Sequence, residues 1–249
     1  MSAPLGRVAI VGGGPGAADL VTVRGRALLE QADVVLIDHL APQEVRGWLR
    51  PDAAVVDVGK YPHGTGPTRS QDAINALLVE HALAGRNVVR LKGGDPFVLG
   101  RGGEEAIACR AAGVPCEIVP GVTSAVAVPA LAGIPVTHRG LAQQVTIVSG
   151  HVPPGDPSSD VDWALLGAGP GTVVVLMGIT HLAAIRDALV AGGRPPSTPA
   201  AVLCHGCTAE ASTLVTTLAS LAEDAVAAGV GTPGIIVVGD VVSVRELLV

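Results

Sequence analysis

From Leu91 to Glu105 the chain reads LKGGDPFVLGRGGEE, a run that combines backbone freedom with charge. Gly93 and Gly94 let a main chain pass close to a ligand, Asp95 offers an acceptor pair for hydroxyls or an amine, and Pro96 stiffens the exit. A second glycine group, Gly100, Gly102 and Gly103, brackets Arg101, whose planar fork suits a carboxylate. The run follows a β-branched pair, Val88 and Val89, and precedes an Ala-rich helical pattern from Glu104 to Ala112. That order puts it on the loop at the carboxyl end of a strand, where open α/β sheets bind ligands. Composition alone is equally satisfied by a plain glycine-rich loop.

Other groups of chemical interest stand at comparable positions. Asp38 closes the apolar run Val34 to Ile37, where a carboxylate is either a helix cap or a base. Lys60 follows Val58-Gly59 and reads either as a solvated charge or as a group for proton transfer. The loop beyond it, Tyr61 to Arg69, is locally basic through His63 and Arg69. Gly12-Gly13-Gly14-Pro15-Gly16 resembles a dinucleotide fingerprint, with Asp38 at about the distance of a ribose-binding acid. Pro15, however, removes an N–H that a pyrophosphate would want, and the better helix start is Thr22, further along. Such a turn suits a ligand without phosphates. Thr123 and Ser124, in Pro120-Gly121-Val122-Thr123-Ser124, either cap the next helix or meet a ligand. Cys204 and Cys207 form a C-x-x-C after a strand pattern, and Cys109 with Cys116 lacks zinc spacing, so no metal site is expected.

The elements that must position these groups alternate. Strands are expected at Arg7 to Val11, Val34 to Ile37, Ala54 to Val58, Asn87 to Leu91 and Glu117 to Val119. Amphipathic helices are expected from Val23 to Ala32 and from Ser70 to Ala84. The PVTHR segment, Pro135 to Arg139, with Gly140 to Ala142 reads as a linker, which divides the chain into an N-terminal α/β domain, 1–139, and a C-terminal α/β domain, 143–249. The second half repeats the alternation with strands at Gln144 to Val148, Thr172 to Met177, Ala200 to Leu203, Ser212 to Thr216 and Ile235 to Val238. The expected fold class is therefore α/β, with two mostly parallel or mixed sheets flanked by helices and an active site in the cleft between the domains.

Composition narrows the function classes. Aromatics make up 2% of the 249 residues against 49% hydrophobics, so the core must be aliphatic and base-stacking platforms are scarce. A formal charge of −6 argues against a general nucleic-acid binder and against a membrane-surface protein. The opening MSAPLGRVAI lacks the pattern of a signal peptide, and Ala125 to Val136 is interrupted by Pro129, Gly133 and Pro135, so a soluble cytoplasmic protein is expected.

GGDPFVLGRGGEE, Asp38-His39-Leu40, Val58-Gly59-Lys60 with Gln71-Asp72-Ala73-Ile74-Asn75, and PGVTS together resemble the uroporphyrinogen-III C-methyltransferases, S-adenosylmethionine (SAM) dependent tetrapyrrole methylases. The resemblance runs from about Val8 to Val242. It implies two methylations of uroporphyrinogen III, at ring carbons 2 and 7, giving precorrin-2 for sirohaem or cobalamin synthesis, with S-adenosyl-L-homocysteine as by-product. It also implies a homodimer. By the same resemblance Asp38 is the proton acceptor and Lys60 the proton donor. Pro15, Gly93, Gly94, Asp95, Val98, Thr123, Ser124, Met177 and Gly206 bind SAM, and Arg101 and Arg139 bind the tetrapyrrole. This chain departs from the family pattern at Ala17-Ala18, where the family carries Asp-Pro, at Ile37 and His39, which flank the acid, and in a longer Tyr61 to Arg69 loop. Two alternatives stay open: a later corrin-ring methyltransferase of the same fold, whose loop more often reads SGDP, and a nicotinamide-dependent oxidoreductase built on Gly12 to Gly16 and Asp38.

Overall fold

Aliphatic runs four to six residues long pair into two five-stranded sheets in the computed structural model, which describes residues 4–59 and 69–249. Lys60 and His63 lie outside the described residues. The chain divides into two compact units, 1–124 and 125–249.

In the first unit the elements are β1 (Arg7–Gly12), α1 (Val23–Glu30), β2 (Val34–Ile37), β3 (Ala54–Asp57), α2 (Gln71–Leu83), β4 (Asn87–Lys92), α3 (Gly102–Ala111) and β5 (Cys116–Val119). The sheet is parallel throughout, in the order β3-β2-β4-β1-β5. Both faces are covered, which is why the strands read as unbroken apolar runs and not as alternations. Alternate residues divide between two cores: Val8, Ile10, Leu36 and Val88 pack with Ile74 and Leu78 of α2 and Cys109 of α3, whereas Ala9, Val11, Val35 and Leu91 pack with Leu29 of α1. The chain thus leaves β1 over one face toward β2, and leaves β4 over the other toward β5. Neighbouring strands whose connections part to opposite faces open a crevice at their carboxyl ends. The helix starts follow their caps: Thr22 Oγ1 accepts from Gly25 N at 3.1 Å, and Ser70 Oγ from Ala73 N at 3.2 Å.

The second unit carries α4 (Ser124–Leu131), which begins on the last residue of the first, then β6 (Val145–Ser149), α5 (Trp163–Ala168), β7 (Thr172–Leu176), α6 (Leu182–Ala191), β8 (Pro199–Cys204), β9 (Ser212–Thr217), α7 (Leu221–Ala227) and β10 (Gly234–Val238). Its sheet is mixed, in the order β6-β7-β10-β8-β9, with only β6 and β7 parallel neighbours. The units divide after Ser124, earlier than the linker expected between residues 139 and 143. The cause is packing: Ala125, Val128, Ile134 and Ala142 share one buried cluster with Val174, Leu203 and Val237, so α4 and the segment after it form a layer on the second sheet. Among the described residues no helix is long and apolar enough to cross a membrane, and no group of His, Cys, Asp or Glu is placed to hold a metal ion. Cys109, Cys116 and Cys204 are free thiols, with Cys109 and Cys204 buried.

Candidate active site

Three strand ends of the first sheet meet through glycine alone. A Cβ built on Gly12 would lie 2.5 Å from Gly121 N and 2.7 Å from Gly94 O; one built on Gly121 would lie 2.4 Å from Gly94 O. No side chain fits there, so the loops after β1, β4 and β5 pack backbone against backbone. Gly94 adopts the left-handed φ of +65° that glycine takes at no cost, and Gly14 one of +75°. The two residues exchange main-chain bonds, Gly14 N to Gly94 O at 3.2 Å and Gly94 N to Gly14 O at 2.6 Å, and Gly13 N donates to Lys92 O at 2.7 Å. The glycine turn after β1 therefore spends these amides inside the protein, and α1 begins only at Val23. A pyrophosphate would find neither the amides nor a helix N-terminus, which counts against the nicotinamide reading.

Asp95 fixes this junction. Its Oδ1 accepts from Phe97 N at 2.8 Å and its Oδ2 from Gly121 N at 3.0 Å. Both oxygens of the expected ligand acceptor are thus engaged by backbone, and the residue clips the β4 loop to the β5 loop. Thr123 and Ser124 follow directly, and a Cβ on Gly94 would be 3.6 Å from Ser124 N. Pro15, Gly93, Gly94, Asp95, Val98 and Thr123 stand on loops that leave the carboxyl edge of this one sheet, Ser124 opens α4 directly after, and all are partly exposed. Further along the β4 loop, Leu99 and Arg101 hold left-handed φ values of 54° and 58° on either side of Gly100. Such conformations cost of order 1 to 3 kcal/mol each and gather at functional sites. The chain turns there because Gly102 N donates to Pro96 O at 2.9 Å, and no Cβ would fit on Gly102. Arg101 differs from expectation: its guanidinium grips Glu104, three residues on, at 2.7 and 2.6 Å. A substrate carboxylate would have to compete with that acid.

Behind these loops lies a group of charges that reading the residues singly misses. Arg90 and Lys92 sit on the same face of β4 as Val88, where period two would place apolar side chains. Their side chains are 3% and 5% exposed, and that of Glu105 in the first turn of α3 is 0% exposed. Glu105 Oε1 accepts from Arg90 Nε at 3.0 Å, Lys92 Nζ at 3.0 Å and Gln71 Nε2 at 3.3 Å. Arg90 Nη2 reaches Asp38 Oδ1 at 2.5 Å. Burial, and after it the Arg90 charge, pulls the Lys92 ammonium below the usual lysine range, offset only in part by Asp38 and Glu105. Burial also works to lower the Arg90 pKa, but the two carboxylates outweigh it and hold the guanidinium above its ordinary value. Lys92 is thus no cation facing solvent but part of a buried ion group. Asp38 caps no helix: the following 3-10 segment, Gln43–Trp48, has Pro42 at its N-cap and no side-chain cap bond. The one sequence signal that pointed here was a pair of charges two apart at the end of an otherwise apolar strand.

In the second unit β6, β7 and β8 run in one direction, so their carboxyl ends share an edge. Met177 follows β7 with a left-handed φ of 59° and is 48% exposed. Gly206 follows β8 after His205, whose φ is 50°, and a Cβ on it would strike Val128 Cγ1 of α4 at 2.4 Å. Arg139 is exposed on the turn after α4, where His138 N donates to Ala142 O at 2.8 Å.

A parallel sheet with a backbone-only glycine edge, joined in sequence to a mixed sheet with a second glycine edge, defines a class, and residues 7–222 match the model of the tetrapyrrole (corrin/porphyrin) methylases. The chain belongs to that family. Among named relatives it is 44% identical over 248 residues to the S-adenosyl-L-methionine-dependent uroporphyrinogen III methyltransferase of Methanosarcina barkeri, covering 100% of this chain and 96% of that protein. It is 47% identical over 243 residues to siroheme synthase 2 of Yersinia pestis, covering 97% of this chain and 50% of that protein, so the chain spans about half the length of the siroheme synthases it matches. The crystal structure of uroporphyrin-III C-methyl transferase from Thermus thermophilus complexed with S-adenyl homocysteine superposes with a TM-score of 0.81 at 39% identity, over 96% of this chain and 100% of that one.

Proposed function

We propose that the chain is a uroporphyrinogen III C-methyltransferase that uses SAM to methylate ring carbons 2 and 7 and releases precorrin-2 and S-adenosyl-L-homocysteine. The observation that carries this reading is the Asp38 carboxylate, tied through one oxygen to buried Arg90 and standing on the same sheet edge as the Gly12, Gly94 and Gly121 junction. The near full-length likeness to the Methanosarcina enzyme and the Thermus fold support it. The residues present fit a flat, phosphate-free donor, because the edge has no Cβ atoms at its closest points and spends its glycine-turn amides internally. Pro15, Gly93, Gly94, Asp95, Val98, Thr123, Ser124, Met177 and Gly206 are the residues proposed to hold it. When bound, SAM supplies an electrophilic methyl group on a sulfonium.

The protein's own work is orientation and proton handling. Holding donor and acceptor in line removes much of the entropy barrier to displacement. A β-carbon of a reduced pyrrole is enamine-like and needs little activation, but a ring proton must leave once the new bond forms. Asp38 is the proposed acceptor for that proton, and Lys60, outside the described residues, the proposed donor. Arg101 and Arg139 are the proposed carboxylate contacts for the substrate, acting within a cytoplasmic homodimer whose product feeds sirohaem or cobalamin synthesis.

An anaerobic assay with labelled SAM tests the reaction, with two methyl groups expected per product; one methyl, or none, would overturn it. Asp38→Asn tests the base. SAM affinity by calorimetry should stay near normal while single-turnover methylation falls about 100-fold to 10,000-fold. A wild-type rate would move the base elsewhere.

A further inference from the structure

Burying three charges against the central strand of a sheet is a costly way to fill space. The rest of that face is Val8, Ile10, Leu36 and Val88, and apolar residues of similar volume commonly replace a buried ion group with no loss of stability. The geometry suggests another use. Every guanidinium nitrogen of Arg90 is engaged: Nε with Glu105 at 3.0 Å, Nη1 with Leu91 O at 3.1 Å and Leu36 O at 3.4 Å, and Nη2 with Asp38 Oδ1 at 2.5 Å. The fork has one outward bond, and it goes to the acid. Glu105 holds the inner end of the fork, with Lys92 and Gln71 on the same oxygen, while its Oε2 is buried with no hydrogen-bond partner among the described residues. Asp38 Oδ2 likewise takes no hydrogen bond among the described residues, and the Asp38 side chain is 27% exposed.

We propose that Arg90 is a positioning residue for Asp38: braced by Glu105, it pins one carboxylate oxygen so that the other is presented to the substrate. This rests on Asp38 being the base. Lysine at position 90 keeps the charge but has a single nitrogen, which cannot span Glu105 and Asp38 together. Arg90→Lys should therefore lower kcat about 10-fold to 100-fold, the scale expected when a reacting group is misplaced by an ångström, with SAM affinity and the KM for uroporphyrinogen III within about threefold of wild type. Glu105→Gln, which keeps the shape and removes the brace's charge, should lower kcat in the same direction by less.

The deciding measurement is a double-mutant cycle in single turnover. In an Asp38→Asn background, Arg90→Lys should cost less than about twofold more, because its route to the reaction is already gone. Equal losses in both backgrounds, or a change confined to KM or SAM affinity, would overturn the positioning role and leave Asp38 as base untouched. A wild-type rate for Asp38→Asn would overturn both. Should Arg90→Lys fail to fold, as judged by lost SAM binding and thermal transition, Glu105→Gln in the same two backgrounds carries the cycle and is read in the same way.

Discussion

Asp95 serves two amides from one carboxylate, so its removal leaves Phe97 N and Gly121 N without partners. A buried donor stripped of its acceptor costs about 1 to 3 kcal/mol; the part-buried Gly121 N falls toward the low end of that range and the exposed Phe97 N below it. Asp95→Ala should therefore lower the thermal midpoint as well as SAM affinity, whereas a residue that only touched the ligand would change affinity alone. Calorimetric titration beside thermal unfolding checks this, and an unchanged midpoint would return Asp95 to pure ligand contact. Identity at this scale was legible, pairing was not: Asp95, Asp38 and Arg101 stand out by type and place. The partners lie far apart in sequence, with Arg90 separated by 52 residues from Asp38 and by 15 from Glu105. Nothing local announces which acid meets which base. The Arg101 to Glu104 grip is the exception, being a neighbour contact across the first turn of α3 that spacing alone permits.

The loops after β1, β4 and β5 form an element-level unit whose tolerance differs from glycine to glycine. Gly94 pays only for a left-handed φ, since its Cβ would meet nothing nearer than 3.6 Å. Gly94→Ala should cost about 1 to 2 kcal/mol. Gly121→Ala must instead push apart the main chains of Gly94 and Gly12, and should cost about 3 kcal/mol, with loss of SAM binding. Urea midpoints of the two variants settle the order; a Gly121→Ala no worse than Gly94→Ala would contradict the backbone junction. Strands were legible here because a parallel sheet covered on both faces demands apolar runs, and the helix starts because Thr22 and Ser70 announce them. Strand order was not, since inserting β4 between β2 and β1 is a choice of long-range pairing. The helix α5 also escaped notice: Trp163–Ala168 is under two turns long, and only its cap, Asp162 accepting from Leu165 N at 2.9 Å, marks its start.

Under the proposed function the substrate carries eight carboxylates, and a molecule of charge −6 would then have to rely on short-range cations to hold it. At about 0.1 M salt the screening length is about 10 Å, so distant repulsion fades and nearby charge decides. The KM for uroporphyrinogen III should rise several-fold between about 50 and 300 mM salt with kcat unchanged. Arg139→Ala should flatten that slope more than Arg101→Ala, because Arg101 already grips Glu104. A KM that falls with salt would mean that overall repulsion governs binding. At this scale the α/β class was legible from alternation, and the division of the chain was not, because the PVTHR segment looks like a linker while Ala125, Val128 and Ile134 pack with the second sheet. One feature of that sheet bears on synthesis. β10 lies between β7 and β8, which have no bonds to each other, whereas the first sheet is complete once β5 has emerged. At roughly 5 to 20 residues per second, the ribosome needs roughly 3 to 12 s to go from Leu176, the end of β7, to Gly234, and until then β7, and β8 once it is made, each present an open edge. The nascent second unit therefore passes through a timed window of exposure in which chaperones, or a neighbouring nascent copy, compete with β10 for the same hydrogen bonds.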